Sequence, residues 1–136
     1  MSRFISLVAV LLATSGSSIA GPKEDATQVT EKWIAAFNAR DLDGIVSLHA
    51  RDALFFGTSS RALAVGQSDI RRYFEQVFGY GARIALKEHS VVALSETAAV
   101  VAGLDDVSGG TGRVSFVIGR TDEGWRIFHF HRSSRP

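Results

Sequence analysis

Arg132 is the side chain best placed by this sequence to hold a ligand. Alternate residues of a strand share a face, so Arg132 is expected beside Phe128 and Phe130. That would put a guanidinium at the end of an apolar surface, where it could meet a carboxylate or a phenolate. The plainer alternative is a salt bridge at a surface or an interface. Tyr73, Trp33, Phe37, Phe56 and Phe116 are expected to approach the same interior. They either fill a core or line a pocket in which the Tyr73 hydroxyl is a polar anchor.

Acid–base chemistry has three candidates, Asp105, His129 and His131. His129 and His131 stand two apart on one strand face, a spacing that can offer two imidazoles to a metal. The alternative is that both pack and hydrogen-bond beside Trp125; with His49 and His89 distant in sequence, no metal and no cofactor is assigned. Asp105 and Asp106 are adjacent, so one of them turns inward, where a carboxylate in an apolar cavity can serve as a base. Solvation at a strand end beside Ser108-Gly109-Gly110 is the competing reading. Gly109-Gly110-Thr111-Gly112 lacks the lysine and following helix of a phosphate cradle and reads as a flexible hairpin. No Ser-His-Asp order or paired-carboxylate spacing occurs.

The elements that must carry these groups follow from hydrophobic period. After a polar lead-in over 21–24, Val29, Trp33, Ala36 and Phe37 recur at helical spacing from Asp25. Asp41 can cap a short second helix that carries Leu42, Ile45, Val46 and His49. Residues 53–58 and 62–65 read as strands or extended loop. Ser68 can cap a third helix with Ile70, Tyr73, Phe74, Val77 and Phe78 on one stripe, stopped at Gly79-Tyr80-Gly81. Beyond Gly81 the period becomes two, which predicts strands over 83–94, 98–107, 113–120 and 125–134 joined by hairpins. Helices followed by an antiparallel sheet imply an α+β domain with helices on one face. Trp125, Ile127, His129 and His131 would share the other face of the last strand. Large groups on both faces predict that a second copy covers the outer one.

Two segments carry a resemblance. Gly124-Trp125-Arg126-Ile127-Phe128-His129-Phe130-His131-Arg132-Ser133-Ser134, with Pro136 following, resembles the last strand of the calcium/calmodulin-dependent protein kinase II association (hub) domain and of small SnoaL-like proteins of the SgcJ/EcaC type. Gly66 to Phe78, which contains Arg72-Tyr73-Phe74, is similar to the matching hub helix. Both point to the nuclear transport factor 2-like superfamily. The resemblance implies a cone-shaped α+β fold over 21–136, with N-terminal helices packed on a curved antiparallel sheet. It also implies a homodimer through the outer sheet face and a small-molecule ligand inside the cone, touching Arg132, Tyr73, Trp33, Phe37, Phe56, Phe116 and Phe130. The alternatives it leaves are a cofactor-independent isomerase, cyclase or oxidoreductase-like enzyme, and a structural oligomerisation module. Phe37 to Leu48 also resembles the start of bacterial ketosteroid isomerase. Counted along that segment, the isomerase base falls on Gly57 and its oxyanion-donating tyrosine on Trp33, and neither residue can do that chemistry.

Composition sets the address and narrows the partners. Arg3, an apolar run from Phe4 to Ala13 and a small, polar stretch ending at Ala20 follow the order of a cleavable secretory signal, too short to span a bilayer. Cleavage after Ala20 is expected, with a periplasmic or secreted product that is free of the membrane. Loss of Arg3 would leave acidic and basic side chains equal in number. That excludes nucleic acid held by bulk charge. The sequence has no cysteine, so neither a disulfide nor a thiolate metal site can form.

Overall fold

The computed structural model describes residues 20–135, so the expected signal peptide, apart from Ala20, lies outside the described residues. α1 (Pro22–Ala39) begins before its apolar pattern does: Pro22 takes the first turn, where its missing N–H is no loss, and the expected lead-in is helical. Ala26, Val29, Thr30, Trp33 and Phe37 form its buried stripe. The helix ends at Arg40, in the left-handed region at φ 54°, whose N–H reaches the carbonyls of Ala36 and Phe37. Asp41 caps α2 (Leu42–Ser47) by accepting from the Gly44 N–H at 2.9 Å, as its position predicts. His49 is outside that helix and opens β1 (His49–Phe56), which is followed by β2 (Ala64–Val65).

α3 (Gly66–Val77) corrects the expected cap. It starts before Ser68, at Gly66, whose φ of +79° suits glycine, and the Asp69 carboxylate accepts from the Val65 N–H at 3.0 Å. Ile70 and Phe74 are buried; a 3-10 turn over Phe78–Tyr80 and a left-handed Gly81 end the helical region. The remaining strands are β3 (Ile84–Ser95), β4 (Ala98–Val107), β5 (Gly110–Thr121) and β6 (Gly124–Ser134). β5 takes in Gly110 and Gly112, so the glycine-rich segment is mostly strand rather than flexible hairpin.

The strand order is β2-β1-β6-β5-β4-β3. β3 to β6 form the expected antiparallel meander, but β1 pairs parallel to β6, with Phe55 opposite Phe130 and Phe56 opposite His131. The sheet is therefore mixed, which corrects the antiparallel expectation. No hairpin joins β1 to β6, so turn signals in the sequence carry no information on their relative direction.

A bulge in β6 overturns the simple alternation. Ile118 pairs with Ile127 and Val117 with His129, which leaves Phe128 as an extra residue. Ile127, Phe130 and Arg132 consequently share the buried face, and Phe128 is 38% exposed instead of sharing that face with Arg132. Gly119 makes room for it: a Cβ there would lie 3.0 Å from the Phe128 ring.

The core is an aromatic layer between the helices and the sheet. Phe130 stacks on Phe55 at 4.8 Å and on Trp33 at 4.8 Å, and meets Phe116 edge-on at 5.0 Å. Trp33 in turn stacks on Phe37 at 5.6 Å. These contacts help hold α1 against the sheet, where it packs on β3, β4, β5 and β6. Because the bulge decides which side chains enter this layer, Ile127→Ala should cost about 2–5 kcal/mol of stability and Phe128→Ala less than about 1 kcal/mol. Urea unfolding of the two variants checks the order; unbroken alternation would reverse it.

Candidate functional site

Between the aromatic layer and the far ends of β4, β5 and β6 lies a cavity of about 470 Å3. α1 contributes Trp33 and Phe37 to its wall, β1 contributes Phe55, α3 contributes Tyr73 and Phe74, and β6 contributes Phe130 and Arg132. The segment after β1 adds Thr58 and Ser59. One end is thus apolar and the other polar, a combination that can bury a flat molecule and fix its orientation.

The polar end rests on an ion pair. Arg132 donates to Asp105 through Nε at 2.8 Å and through Nη2 at 2.7 Å, and through Nη1 to Thr58 Oγ1 at 2.6 Å. Asp105 is fully buried and Arg132 is 9% exposed. The two residues stand on β4 and β6, so the pair must cross β5, which it does over Gly112. A Cβ on Gly112 would lie 2.4 Å from Arg132 Nη2 and 2.7 Å from Asp105 Oδ1. Gly112 opens the slot that lets guanidinium and carboxylate meet.

Tyr73 is placed by a second close approach. Its ring packs on Phe55 at 4.8 Å, its hydroxyl stands 3.5 Å from Ser59 Oγ, and a Cβ on Gly57 would fall 2.0 Å from the hydroxyl. Gly57, the position aligned with the isomerase base, is therefore the seat of the Tyr73 ring.

Of the residues expected at the pocket, Trp33, Phe37, Tyr73, Phe130 and Arg132 line it. Phe56 does not: it sits on the other face of β1, 6.0 Å from the His131 ring, and Phe55 takes its place. Phe116 is buried beneath Trp33 and Phe130 without reaching the cavity lining. His129 and His131 lie on the outer sheet face, and His131 borders a surface groove with Arg113 and Ser133. Asp105 turns inward, against the reading of strand-end solvation, but its oxygens are engaged by Arg132. Asp106 faces away and accepts from the Gly109 N–H at 2.7 Å. The three acid–base candidates therefore do not assemble in the cavity. Among the described residues no cluster of three or more His, Cys, Asp or Glu can hold a metal ion.

Besides Phe55, sequence reasoning missed Gly112 and Thr58. Neither has a periodicity signal; each is defined by what crosses or touches it.

His49 is buried between Phe55 and Phe74, close behind the cavity wall. Its Nδ1 lies 2.9 Å from the Ile45 carbonyl, which can only accept, so Nδ1 carries the proton and Nε2 is bare, with no partner among the described residues. Burial lowers its pKa to about 4, against the smaller upward pull of that backbone bond.

The model of the SnoaL-like domain family matches residues 26–136. The chain belongs to that family. Solved structures share the fold of this SnoaL-like domain. A protein from Xanthomonas campestris named for a calcium/calmodulin-dependent protein kinase II association domain has a TM-score of 0.77 at 21% identity, covering 100% of this chain and 99% of its own. An NTF2-like protein of unknown function from Pseudomonas putida KT2440 has a TM-score of 0.76 at 22% identity, covering 83% and 86%. A ketosteroid isomerase-like protein from Erwinia carotovora atroseptica has a TM-score of 0.70 at 18% identity, covering 87% and 99%. At such identities the likeness shows an α+β fold of the NTF2-like kind, with N-terminal helices and a mixed sheet. No curated protein gives a significant match.

His49 makes the stability of the fold pH-dependent. Its folded pKa lies below the unfolded value near 6.5, so the unfolded chain binds the extra proton and stability falls as pH drops from about 6.5 toward 4. Between pH 7 and pH 5 the loss should be about 2 kcal/mol by urea unfolding, and smaller in His49→Leu. An equal slope in both proteins would show that His49 is not the group responsible.

Proposed function

We propose that this SnoaL-like domain is an exported, homodimeric small-molecule-binding protein whose ligand lies between the Trp33–Phe55–Phe130 wall and the Arg132–Thr58–Tyr73 end of the cavity. The observation that carries this reading is the cavity itself: aromatic on one side, polar on the other and lined by five of the residues expected there. A purely structural oligomerisation module would have no need of such a space. An enzymatic role would need a free acid or base in the cavity. Asp105 is committed to Arg132, and the two candidate histidines are on the opposite face of the sheet.

Self-association is supported by the outer face. Leu54, His129, Val117, Val100 and Val92 run in one row across β1, β6, β5, β4 and β3. Val92 is 56% and Leu94 61% exposed, large apolar groups that a second sheet would cover. Export is supported by the signal-like order of the first twenty residues, and no helix among the described residues is long and apolar enough to cross a membrane.

Ala82 lies on the cavity lining and is half-buried, so Ala82→Trp should fill the space without unfolding the protein. The neutral fluorophore N-phenyl-1-naphthylamine should bind the wild type and lose at least about tenfold in affinity in Ala82→Trp, with the thermal midpoint unchanged. Equal affinity would place binding elsewhere. Val92→Lys combined with Val117→Lys should convert a dimer to a monomer in sedimentation equilibrium at micromolar concentration. A monomeric wild type would remove the dimer from the proposal.

A further inference from the structure

The geometry points to Asp105 as the residue that sets the charge preference of the cavity, making it a site for uncharged, flat aromatic molecules with one hydrogen-bond acceptor rather than for carboxylates. This rests on the cavity being a ligand site. An arginine in an aromatic pocket suggests an anion, because its fork can offer two parallel donors to a carboxylate. Here that fork is already occupied. Nε and Nη2 are given to Asp105, and a second Nη2 contact reaches the Gly110 carbonyl at 3.5 Å. One Nη1 hydrogen goes to Thr58. Of the five N–H donors of the side chain, a single Nη1 hydrogen remains, which matches one acceptor and not a bidentate anion.

Charge leads to the same conclusion. Arg132 and Asp105 sum to zero and both are buried, so this end of the cavity presents a dipole and no net charge. An anion brought to this end would give up its hydration for a guanidinium already neutralised by Asp105, which lies behind Arg132 and off the cavity lining. Arg135 borders the mouth but is exposed, where solvent screens it. Thr58 Oγ1 accepts from Arg132 and keeps its own hydrogen to donate, and the Tyr73 hydroxyl stands beside Ser59. These neutral groups suit a carbonyl, ether or hydroxyl of the ligand. The walls suit a ring system, because Trp33, Phe37, Phe55, Tyr73, Phe74 and Phe130 all reach the cavity lining.

Two probes of the same frame separate the readings: N-phenyl-1-naphthylamine, which is neutral, and 8-anilino-1-naphthalenesulfonate, which adds one fixed negative charge. Binding is followed by fluorescence on the full mature chain, with Ala82→Trp reporting which part of the signal comes from the cavity. The wild type should bind the neutral probe at least tenfold more tightly. Asp105→Asn frees the guanidinium while keeping the shape, so it should gain at least tenfold for the sulfonate, and the double variant Asp105→Asn with Arg132→Gln should lose that gain. Equal or tighter binding of the sulfonate by the wild type overturns the inference, as does an unchanged ratio in folded Asp105→Asn. Should Asp105→Asn fail to fold by circular dichroism, the wild-type ratio decides alone. If neither probe binds in the cavity, the ligand-binding reading itself falls, a result distinct from a reversed preference.

Discussion

The bidentate pair between Arg132 and Asp105 is the interaction on which the polar end of this molecule depends. It ties β4 to β6 across β5, and through Nη1 it also holds Thr58 after β1, so four parts of the chain meet on one guanidinium. Burying two charges costs hydration that their attraction only partly returns, so the pair is weak evidence for stability as such. Breaking it from one side would leave a charge buried without a partner, which typically costs about 3–5 kcal/mol. Its value here lies in position: it fixes where the donors of the cavity point and leaves that end without net charge.

Two backbone features set the pair in its surroundings. The bulge at Phe128 brings Ile127, Phe130 and Arg132 onto one face of β6, and Gly112 leaves the gap over which the guanidinium passes. Without the bulge, Arg132 could still share a face with Phe130, but the apolar start of the strand would be turned outward. The aromatic layer completes the arrangement, since Phe130 is in contact with Phe55, Trp33 and Phe116 at once. A cavity walled by rings packed on one another cannot shrink easily when empty, which suits a preformed site.

Much of this was legible in the sequence. Helical spacing located Trp33 and Phe37 on α1 and Tyr73 on α3, the Asp41 cap was read correctly, and the final four strands fell close to their predicted ranges. What failed was information that no local pattern carries. A bulge shifts register by one residue without changing composition, so alternation alone puts Phe128 on the wrong face. Phe55 rather than Phe56 turns inward, and the adjacent Leu54, Phe55 and Phe56 are all apolar, so composition does not mark the inner face. Asp105 and Gly112 gained their roles from one another and from Arg132, across segments that only the folded sheet brings together. The direction of β1 against β6 belongs to the same class, since no turn joins them.

The central claim is that Arg132 and Asp105 stay paired while the cavity holds an uncharged ring system. A crystal structure of residues 21–136 with N-phenyl-1-naphthylamine bound tests it most directly. The account predicts the rings against Trp33, Phe55 and Phe130, with both hydrogen bonds from Arg132 to Asp105 intact. Rings bound outside the cavity, or a guanidinium that has left Asp105 for the ligand, would contradict it.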